Sequence, residues 1–154
     1  MNSWIFRLAN IVGKKGHGVI IDFIDKLKKD PSKLEILGDG TQEKSYMLVN
    51  ECIEAIEFVI ENDPRKETKI YNIGSKDLVS VKEIAEVVIE EMNLDPKNVE
   101  LKYTGGVNGR GWKGDVKKML LDISKLEDLG WKGKSNSKEA VRATAKSIIK
   151  DKKV

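Results

Sequence analysis

The segment from Gly105 to Asp122, GGVNGRGWKGDVKKMLLD, places the strongest local constraint on the fold. Five glycines fall within its first ten residues, which leaves too little side chain for a helix or a packed strand. We therefore predict a loop that turns tightly and can approach a ligand closely. Arg110 and Lys113 lie in this loop, and their cationic groups suit the oxygens of a diphosphate. A solvent-exposed loop with incidental charge is the alternative interpretation.

Composition limits the kind of protein that the rest of the chain can form. With 154 residues, 40% of them hydrophobic, the chain can build one domain with a core, and one at most. The net charge of +3 comes from 28 basic and 25 acidic residues that are interspersed, which is typical of a solvated surface rather than a nucleic-acid interface. Cys52 is the only cysteine, so we expect a buried thiol. No signal peptide or membrane span is recognisable, and we expect a soluble cytoplasmic protein.

Hydrophobic spacing predicts an α/β fold with about five helices and five or six short strands. The apolar run Trp4 to Val12 predicts one strand buried on both faces. Lys33 to Leu37, followed by Gly38-Asp39-Gly40 and an extended piece through Tyr46, predicts a hairpin. Further strands are expected near 68–73 and 99–103. Helices are expected near 18–30, 50–62, 80–92, 124–129 and 136–150.

Capping residues indicate where several of these helices begin and end. Asn50 is the predicted cap of the second helix. Ser80 and Glu83 have the spacing of a capping box, and Asn136 to Glu139 opens the last helix. Gly130 is the expected left-handed residue after the short fourth helix.

The residues that commonly carry catalysis are mostly absent. His17 is the single histidine and lies between two glycines, where we expect it to be solvent exposed and not a metal ligand. We find no G-x-S-x-G motif, no P-loop and no G-x-G-x-x-G that follows a strand, so neither nucleophilic catalysis nor an independent dinucleotide site is supported. What remains are loop and strand-end groups suited to an anionic ligand, namely Arg7, Asn10, Gln42, Lys44, Tyr46, Arg110 and Lys113.

The order of several short motifs resembles the C-terminal part of an extended short-chain dehydrogenase/reductase, in the nucleotide-sugar epimerase and dehydratase family. Arg7 to Gly13 resembles its R-x-x-N-x-x-G strand end, and Gly38 to Tyr46 resembles G-D-G-x-Q-x-R-x-[FY] with Lys44 at the arginine position. Tyr71 to Gly74 resembles Y-N-[IV]-G. Asp122 to Trp131 resembles the closing D-x-x-K-x-x-x-L-G-[WY] segment. The similarity spans about residues 5 to 150.

The resemblance also implies a substrate site. In the family, the asparagine contacts the nucleotide diphosphate, the base lies along the strand before the G-D-G turn, and the arginine meets phosphate. Arg110 to Asp115 resembles the family's R-x-G-D loop, although Trp112 stands at the usual arginine position and Arg110 lies two residues earlier. The implied substrate-binding residues are Asn10, Val19, Glu35, Leu37, Lys44, Tyr46, Arg110 and Asp115.

Two motifs of complete family members are not found in this sequence. These are the G-x-x-G-x-x-G loop that binds NAD and the Tyr-x-x-x-Lys pair that carries out proton transfer on the sugar. The resemblance thus implies a Rossmann-type α/β fold without its NAD-binding portion, with residues 1–154 as a single partial domain. We expect this chain alone to bind NAD weakly, and we name no catalytic residue.

The segment Arg110 to Asp122 looks most like archaeal and bacterial UDP-glucose 4-epimerase-like members, and this resemblance implies 4-epimerisation of a UDP-hexose as the parent reaction. A dTDP-sugar dehydratase, a UDP-glucuronate decarboxylase fragment and a non-catalytic nucleotide-sugar-binding remnant stay open as alternatives. The expected partners are a nucleotide sugar and either a separate N-terminal Rossmann half or further copies of this chain, with no nucleic acid and no membrane.

Overall fold

The fold is seen in a computed structural model that describes residues 3–63 and 67–151. The described residues contain five α-helices and nine short strands. The helices are α1 (Val19–Lys29), α2 (Val49–Asn62), α3 (Val81–Glu91), α4 (Ser124–Asp128) and α5 (Ser137–Asp151). The strands are β1 (Trp4–Leu8), β2 (Asn10–Val12), β3 (Lys33–Leu37), β4 (Glu43–Lys44), β5 (Tyr46–Leu48), β6 (Lys69–Ile73), β7 (Val79–Ser80), β8 (Glu100–Thr104) and β9 (Lys118–Met119).

Most strand pairs are parallel, which confirms the predicted α/β class. β1 pairs with β6, β2 with β5, and β3 with β8, each in parallel. A fourth sheet of three short strands has β4 between β7, which is antiparallel to it, and β9, which is parallel. Parallel neighbours need long crossover connections, and here the helices supply them.

Two strand predictions are wrong. The run from Trp4 to Val12 is two strands that change partner at Ala9, whose N–H donates to the Ile73 carbonyl (2.8 Å). It is not buried on both faces, because Ile5 and Leu8 are 47% and 48% exposed. The predicted hairpin does not form either, because β3 pairs with β8 rather than with the extended piece that follows it. Gly38 and Gly40 both have positive φ (86° and 77°) and direct the chain away from β3.

The predictions from local capping signals are more accurate than the two strand predictions. The Ser80 side chain accepts from the Glu83 N–H (3.1 Å) and the Glu83 carboxylate accepts from the Ser80 N–H (2.9 Å), which confirms the capping box. Asn136 and Glu139 make the same reciprocal pair before α5, and Gly130 has a φ of 111° as expected. The prediction for Asn50 is wrong, since α2 begins at Val49 with Leu48 as its cap residue and no side-chain cap bond.

Two hydrophobic clusters form the interior. The larger one joins β3 to α1, α3 and α5, and its fully buried side chains include Ile24, Leu34, Ile36 and Ile84. The smaller one joins β5, β6, α2 and α4 through Met47, Cys52, Ala55, Val59, Tyr71, Ile73, Leu126 and Trp131, and Trp4 and Phe6 of β1 pack against it. Cys52 is buried, as predicted, and burial raises the pKa of its thiol. No helix among the described residues has the length and apolar composition that crossing a bilayer requires.

A buried carboxylate, Asp63, is hydrogen-bonded to side chains of the smaller cluster. Asp63 follows α2 directly, and its side chain is fully shielded from solvent. It accepts hydrogen bonds from Lys69 Nζ (2.8 Å), Trp4 Nε1 (2.9 Å) and the Tyr71 hydroxyl (3.2 Å). The hydrogen bond from Lys69 is the main reason that the pKa of Asp63 lies below its ordinary value, although burial alone would raise that pKa. Asp63 therefore connects the end of α2 to β1 and β6.

We expect Asp63→Asn to lower the free energy of unfolding at neutral pH and to have little effect in strong acid. A depressed folded pKa contributes stability that is present above the unfolded carboxyl pKa of about 4 and is lost as the pH falls through the folded value. Urea denaturation from pH 7 to pH 2.5 would measure the difference from wild type. Glu100→Gln, on exposed β8, is the matched control, and a pH-independent difference for Asp63→Asn would contradict the prediction.

The surface of β1, β6 and α2 carries several exposed apolar side chains. They are Ile5, Leu8, Val49, Ile53, Ile60 and Ile70, each between 39% and 49% exposed. Within the described part of the chain, β1 and β6 pair only with each other, so each strand has one edge with unpaired backbone groups. Open edges and adjoining apolar surface favour association with another chain.

We expect the 154-residue chain to form dimers or larger oligomers through this surface, or else to be only marginally folded. At about 25 cal/mol per Å², covering roughly 300 Å² of apolar surface stabilises by roughly 7 kcal/mol, which is comparable to the stability of a whole small domain. Light scattering at low micromolar concentration, combined with a thermal melt, would test this. Ile5→Lys should reduce association. Val116→Lys, a change at an exposed side chain of the 111–117 loop, should not. A monodisperse, cooperatively folding monomer would contradict the prediction.

Candidate functional site

A cavity of about 560 Å³ lies where β2, the first turn of α1, the start of β5 and the 111–115 loop meet. Its apolar lining comes from the larger hydrophobic cluster, for example Val19, Phe23 and Ile148. Six of the eight predicted substrate-binding residues line it: Asn10, Val19, Leu37, Lys44, Tyr46 and Asp115. These residues are far apart in the sequence, so the fold brings together most of the predicted site.

Lys44 and Asp115 form an ion pair at this cavity. Lys44 Nζ lies 2.7 Å from Asp115 Oδ1, and their side chains are only 20% and 4% exposed. The second carboxylate oxygen of Asp115 accepts the Gly111 N–H (3.2 Å). Burial alone would raise the pKa of Asp115, but the hydrogen bonds from Lys44 and Gly111, with the Lys44 charge, hold that pKa below its ordinary value. Asp115 is therefore a carboxylate at neutral pH, and it holds the Lys44 ammonium at the cavity wall.

Tyr46 is a neutral phenol in the same wall. Burial, and then the negative charge of Asp115, raise the pKa of Tyr46 to about 12. Its hydroxyl thus keeps its proton across the physiological range and can donate a hydrogen bond.

The amide side chains of Asn10 and Gln42 are partly committed to backbone groups. Asn10 Nδ2 donates to the Ser45 carbonyl (3.1 Å), and Gln42 Nε2 donates to the Leu37 carbonyl (3.1 Å). These bonds fix both side chains at the ends of their strands. Gln42 Oε1 and the Thr144 hydroxyl oxygen are buried beside the cavity without a hydrogen-bond partner among the described residues. Buried polar atoms without a hydrogen-bond partner are uncommon in native proteins, so these two mark side chains of the site that can rearrange.

Two predicted substrate residues do not line the cavity. Glu35 lies on β3 and accepts a hydrogen bond from the Thr104 hydroxyl (2.8 Å). Arg110 is exposed and closes a two-residue turn with Val107, with 3.1 Å backbone hydrogen bonds in both directions. Asn108 and Gly109, between them, both have positive φ (54° and 78°), as that kind of turn requires.

The glycine-rich segment is a loop with tight turns, as predicted. A Cβ at Gly106 would lie 2.0 Å from the Arg110 carbonyl oxygen, so no larger residue fits there. The cations suggested for anion binding at Arg7 and Lys113 are exposed and lie outside the cavity lining.

His17, Trp112 and Thr144 line the cavity but are not among the predicted site residues. His17 is exposed, as the sequence predicts. It also borders the cavity, just before α1. The sequence identifies Trp112 only as a departure from a family motif, and it gives no prediction for Thr144. The inward spacing of Val141, Ala145 and Ile148 on α5 could have indicated that Thr144 faces the interior. No sequence signal placed Trp112 at the cavity, because a glycine-rich loop has no fixed periodicity.

A second cavity of about 610 Å³ lies between the start of α2, the end of β6 and the 130–136 segment. None of the predicted site residues lines it. Its buried carboxylate, Glu51, already accepts hydrogen bonds from the Ser135 hydroxyl and from the Lys134 N–H (both 2.6 Å). Among the described residues, no group of three or more His, Cys, Asp or Glu side chains could hold a metal ion.

Comparison with known proteins identifies relatives of this arrangement. Residues 1–74 match the model of the NAD dependent epimerase/dehydratase family. A putative UDP-glucose 4-epimerase of Methanocaldococcus jannaschii is 31% identical over 143 residues, which cover 90% of this chain and 43% of that protein. GDP-mannose 3,5-epimerase of Arabidopsis thaliana is 30% identical over 79% of this chain and 29% of its own length. The chain therefore spans less than half the length of these curated relatives.

Solved structures agree with the sequence relatives. A crystal structure of UDP-galactose 4-epimerase superimposes with a TM-score of 0.82 at 36% identity, and the match covers 96% of this chain and 46% of that one. UDP-glucose 4-epimerase of Thermotoga maritima, solved with UDP-glucose, gives a TM-score of 0.77 at 25% identity, covering 98% and 47%. From the parallel strand pairs, the motifs along the chain and these relatives, we conclude that the chain belongs to the NAD-dependent epimerase/dehydratase family and is a partial domain of its Rossmann-type fold.

Proposed function

We propose that this chain is the nucleotide-sugar-binding part of an NAD-dependent sugar epimerase, with 4-epimerisation of a UDP-hexose as the parent reaction. The observation that carries the proposal is the cavity, which brings Asn10, Lys44, Tyr46 and Asp115 together from separate strands and a loop. The names of the relatives support a nucleotide sugar as the ligand, and three of the four named above are 4-epimerases. The single, buried and free Cys52 fits a reducing compartment such as the cytoplasm.

In this proposal, Lys44 is the cation that meets the diphosphate. An ammonium has three donors, and the contact with Asp115 Oδ1 occupies one of them. The other two can bind phosphate oxygens while Asp115 keeps the ammonium in place. Val19, the first residue of α1, contributes its backbone N–H at the positive end of the helix dipole.

The remaining groups would orient the nucleotide. Leu37 is 46% exposed at the cavity and offers an apolar edge along which a base can lie. The neutral Tyr46 hydroxyl and the free N–H of the Asn10 amide are donors for ligand oxygens. We also propose Glu35 and Arg110 as ligand contacts, which requires the glycine-rich loop and the end of β3 to close over the ligand.

NAD does not fit the residues of this chain. The G-x-x-G-x-x-G loop and the Tyr-x-x-x-Lys pair of the family are not found in its sequence. In this proposal, the residues that line the cavity bind and orient the sugar nucleotide, and they take no part in hydride transfer. A partner that carries the missing half, or further copies of this chain, completes the assembly in this proposal.

We expect Lys44→Ala to weaken UDP binding by roughly 1.5 to 3 kcal/mol, as for hydrogen bonds to charged groups. Isothermal titration of the 154-residue chain with UDP would measure this. Because removing Lys44 leaves Asp115 buried and unpaired, the variant should be compared in the Asp115→Asn background, and its fold checked by urea denaturation. Lys118→Ala, an exposed lysine of β9 outside the cavity, is the matched control.

Arg110→Ala belongs in the same titration series. An equal loss of affinity would support closure of the loop over the ligand. Unchanged affinity would remove Arg110 from the site while leaving the role of Lys44 intact. Unchanged UDP affinity in both the Lys44 and the Arg110 variants would contradict the proposed site as a whole.

We expect this chain alone neither to bind NAD tightly nor to epimerise UDP-sugars, because it lacks the groups that hold the cofactor and transfer the proton. Calorimetry with NAD and a coupled assay with UDP-glucose would test both statements. Micromolar NAD affinity or measurable turnover would contradict the prediction. Turnover that appears only when a polypeptide with the glycine-rich loop and the Tyr-x-x-x-Lys pair is added would support a two-chain enzyme over a non-catalytic remnant.

A further inference from the structure

Trp112 lies at the cavity and remains largely uncovered. It is 59% exposed, the highest exposed fraction among the exposed large apolar side chains that the structure describes. A single exposed apolar residue is ordinary on a protein surface. Trp112, however, also lines the cavity next to the Lys44 and Asp115 ion pair. A ligand in the cavity could therefore cover its indole ring.

The backbone that carries Trp112 is held firmly at both ends. The Asp115 N–H donates to the Trp112 carbonyl (3.1 Å), and the Asp115 carboxylate accepts the Gly111 N–H (3.2 Å). The same carboxylate binds Lys44 on β4 (2.7 Å). One buried side chain thus fixes the short turn, and Trp112 needs little further ordering to bind a ligand.

The indole and the proposed phosphate-binding group are neighbours. Lys44 Nζ lies 5.7 Å from the centroid of the Trp112 ring, within the range of a cation–π contact. A phosphate that meets the Lys44 ammonium would place the remainder of its molecule within reach of the indole. Trp112 has no charge to offer a phosphate, but its flat face can pack on a base or on the C–H face of a sugar ring.

We propose that Trp112 binds the face of a ring in the nucleotide sugar, either the base or the hexose, and so favours ring-bearing diphosphates over diphosphate alone. This inference rests on the proposed function. It assigns to Trp112 a ring contact at the position where the resemblance places a phosphate-binding arginine. Lys44 then remains the main phosphate contact, and Trp112 contributes selectivity.

The test is titration of wild type, Trp112→Ala and Trp112→Phe with three ligands: pyrophosphate, UDP and UDP-glucose. Trp112→Ala should weaken binding of a ring-bearing ligand about tenfold, in line with base stacking on aromatic side chains, and leave pyrophosphate affinity unchanged. Trp112→Phe keeps an aromatic face and should restore most of the affinity. Val116→Ala, a 53% exposed residue of the same loop outside the cavity lining, is the matched control.

The ligand series also identifies the ring. Equal losses for UDP and UDP-glucose would mean that Trp112 packs on the base, whereas a loss for UDP-glucose alone would mean that it packs on the hexose, and both results support the proposal. Unchanged affinities in Trp112→Ala, or an equal loss for pyrophosphate, would overturn it while the proposed function stands. Failure of wild type to bind UDP and UDP-glucose would overturn the proposed function and this inference together.

Discussion

The arrangement of the site depends on the ion pair between Lys44 and Asp115. These residues are 71 positions apart, and their contact joins the two-residue strand β4 to the glycine-rich loop. Without Lys44, Asp115 would be a buried carboxylate without its cationic partner, and an unpaired buried charge is strongly destabilising. The pair therefore determines where the 111–115 loop can lie. It also keeps an ammonium at the cavity wall.

The sequence predicted the local elements well and their pairing poorly, for a physical reason. The Ser80 capping box depends on groups three residues apart, so its signal is contained in the sequence window itself. Pairing of β3 with β8 depends on contacts about 67 residues away, and neither strand carries a mark that identifies its partner. The G-D-G turn after β3 is a strong hairpin signal on its own. Here its glycines turn the chain toward β7 and β9 instead.

The candidate site was predictable to the extent that it lies on regular elements. Asn10, Lys44 and Tyr46 stand at the ends of strands whose motifs have fixed spacing, so the family resemblance could assign them by number. Arg110 and Trp112 lie in the glycine-rich loop, where Asn108 and Gly109 have positive φ and sequence spacing does not indicate which side chain lines the cavity. Arg110 and Trp112 are only two positions apart in this loop, yet Trp112 lines the cavity and Arg110 does not. The resemblance could not resolve that difference, and the exposed position of Arg110 follows from the Val107 turn.

The larger hydrophobic cluster is well covered by its own helices, whereas apolar side chains around the smaller cluster are exposed. The cavity is lined mainly from the larger cluster, whose helices α1, α3 and α5 cover one another and β3. The exposed apolar side chains Ile5, Ile70 and Ile53 instead lie on β1, β6 and α2, around the smaller cluster. In the proposed function, the wall that binds the nucleotide can thus form from contacts within this chain. The surface that remains uncovered lies on the parallel strands, where a Rossmann-type fold would add its neighbouring strands and helices. In the proposed function, ligand binding therefore depends on the larger cluster, and association with another part of the fold depends on the surface around the smaller one.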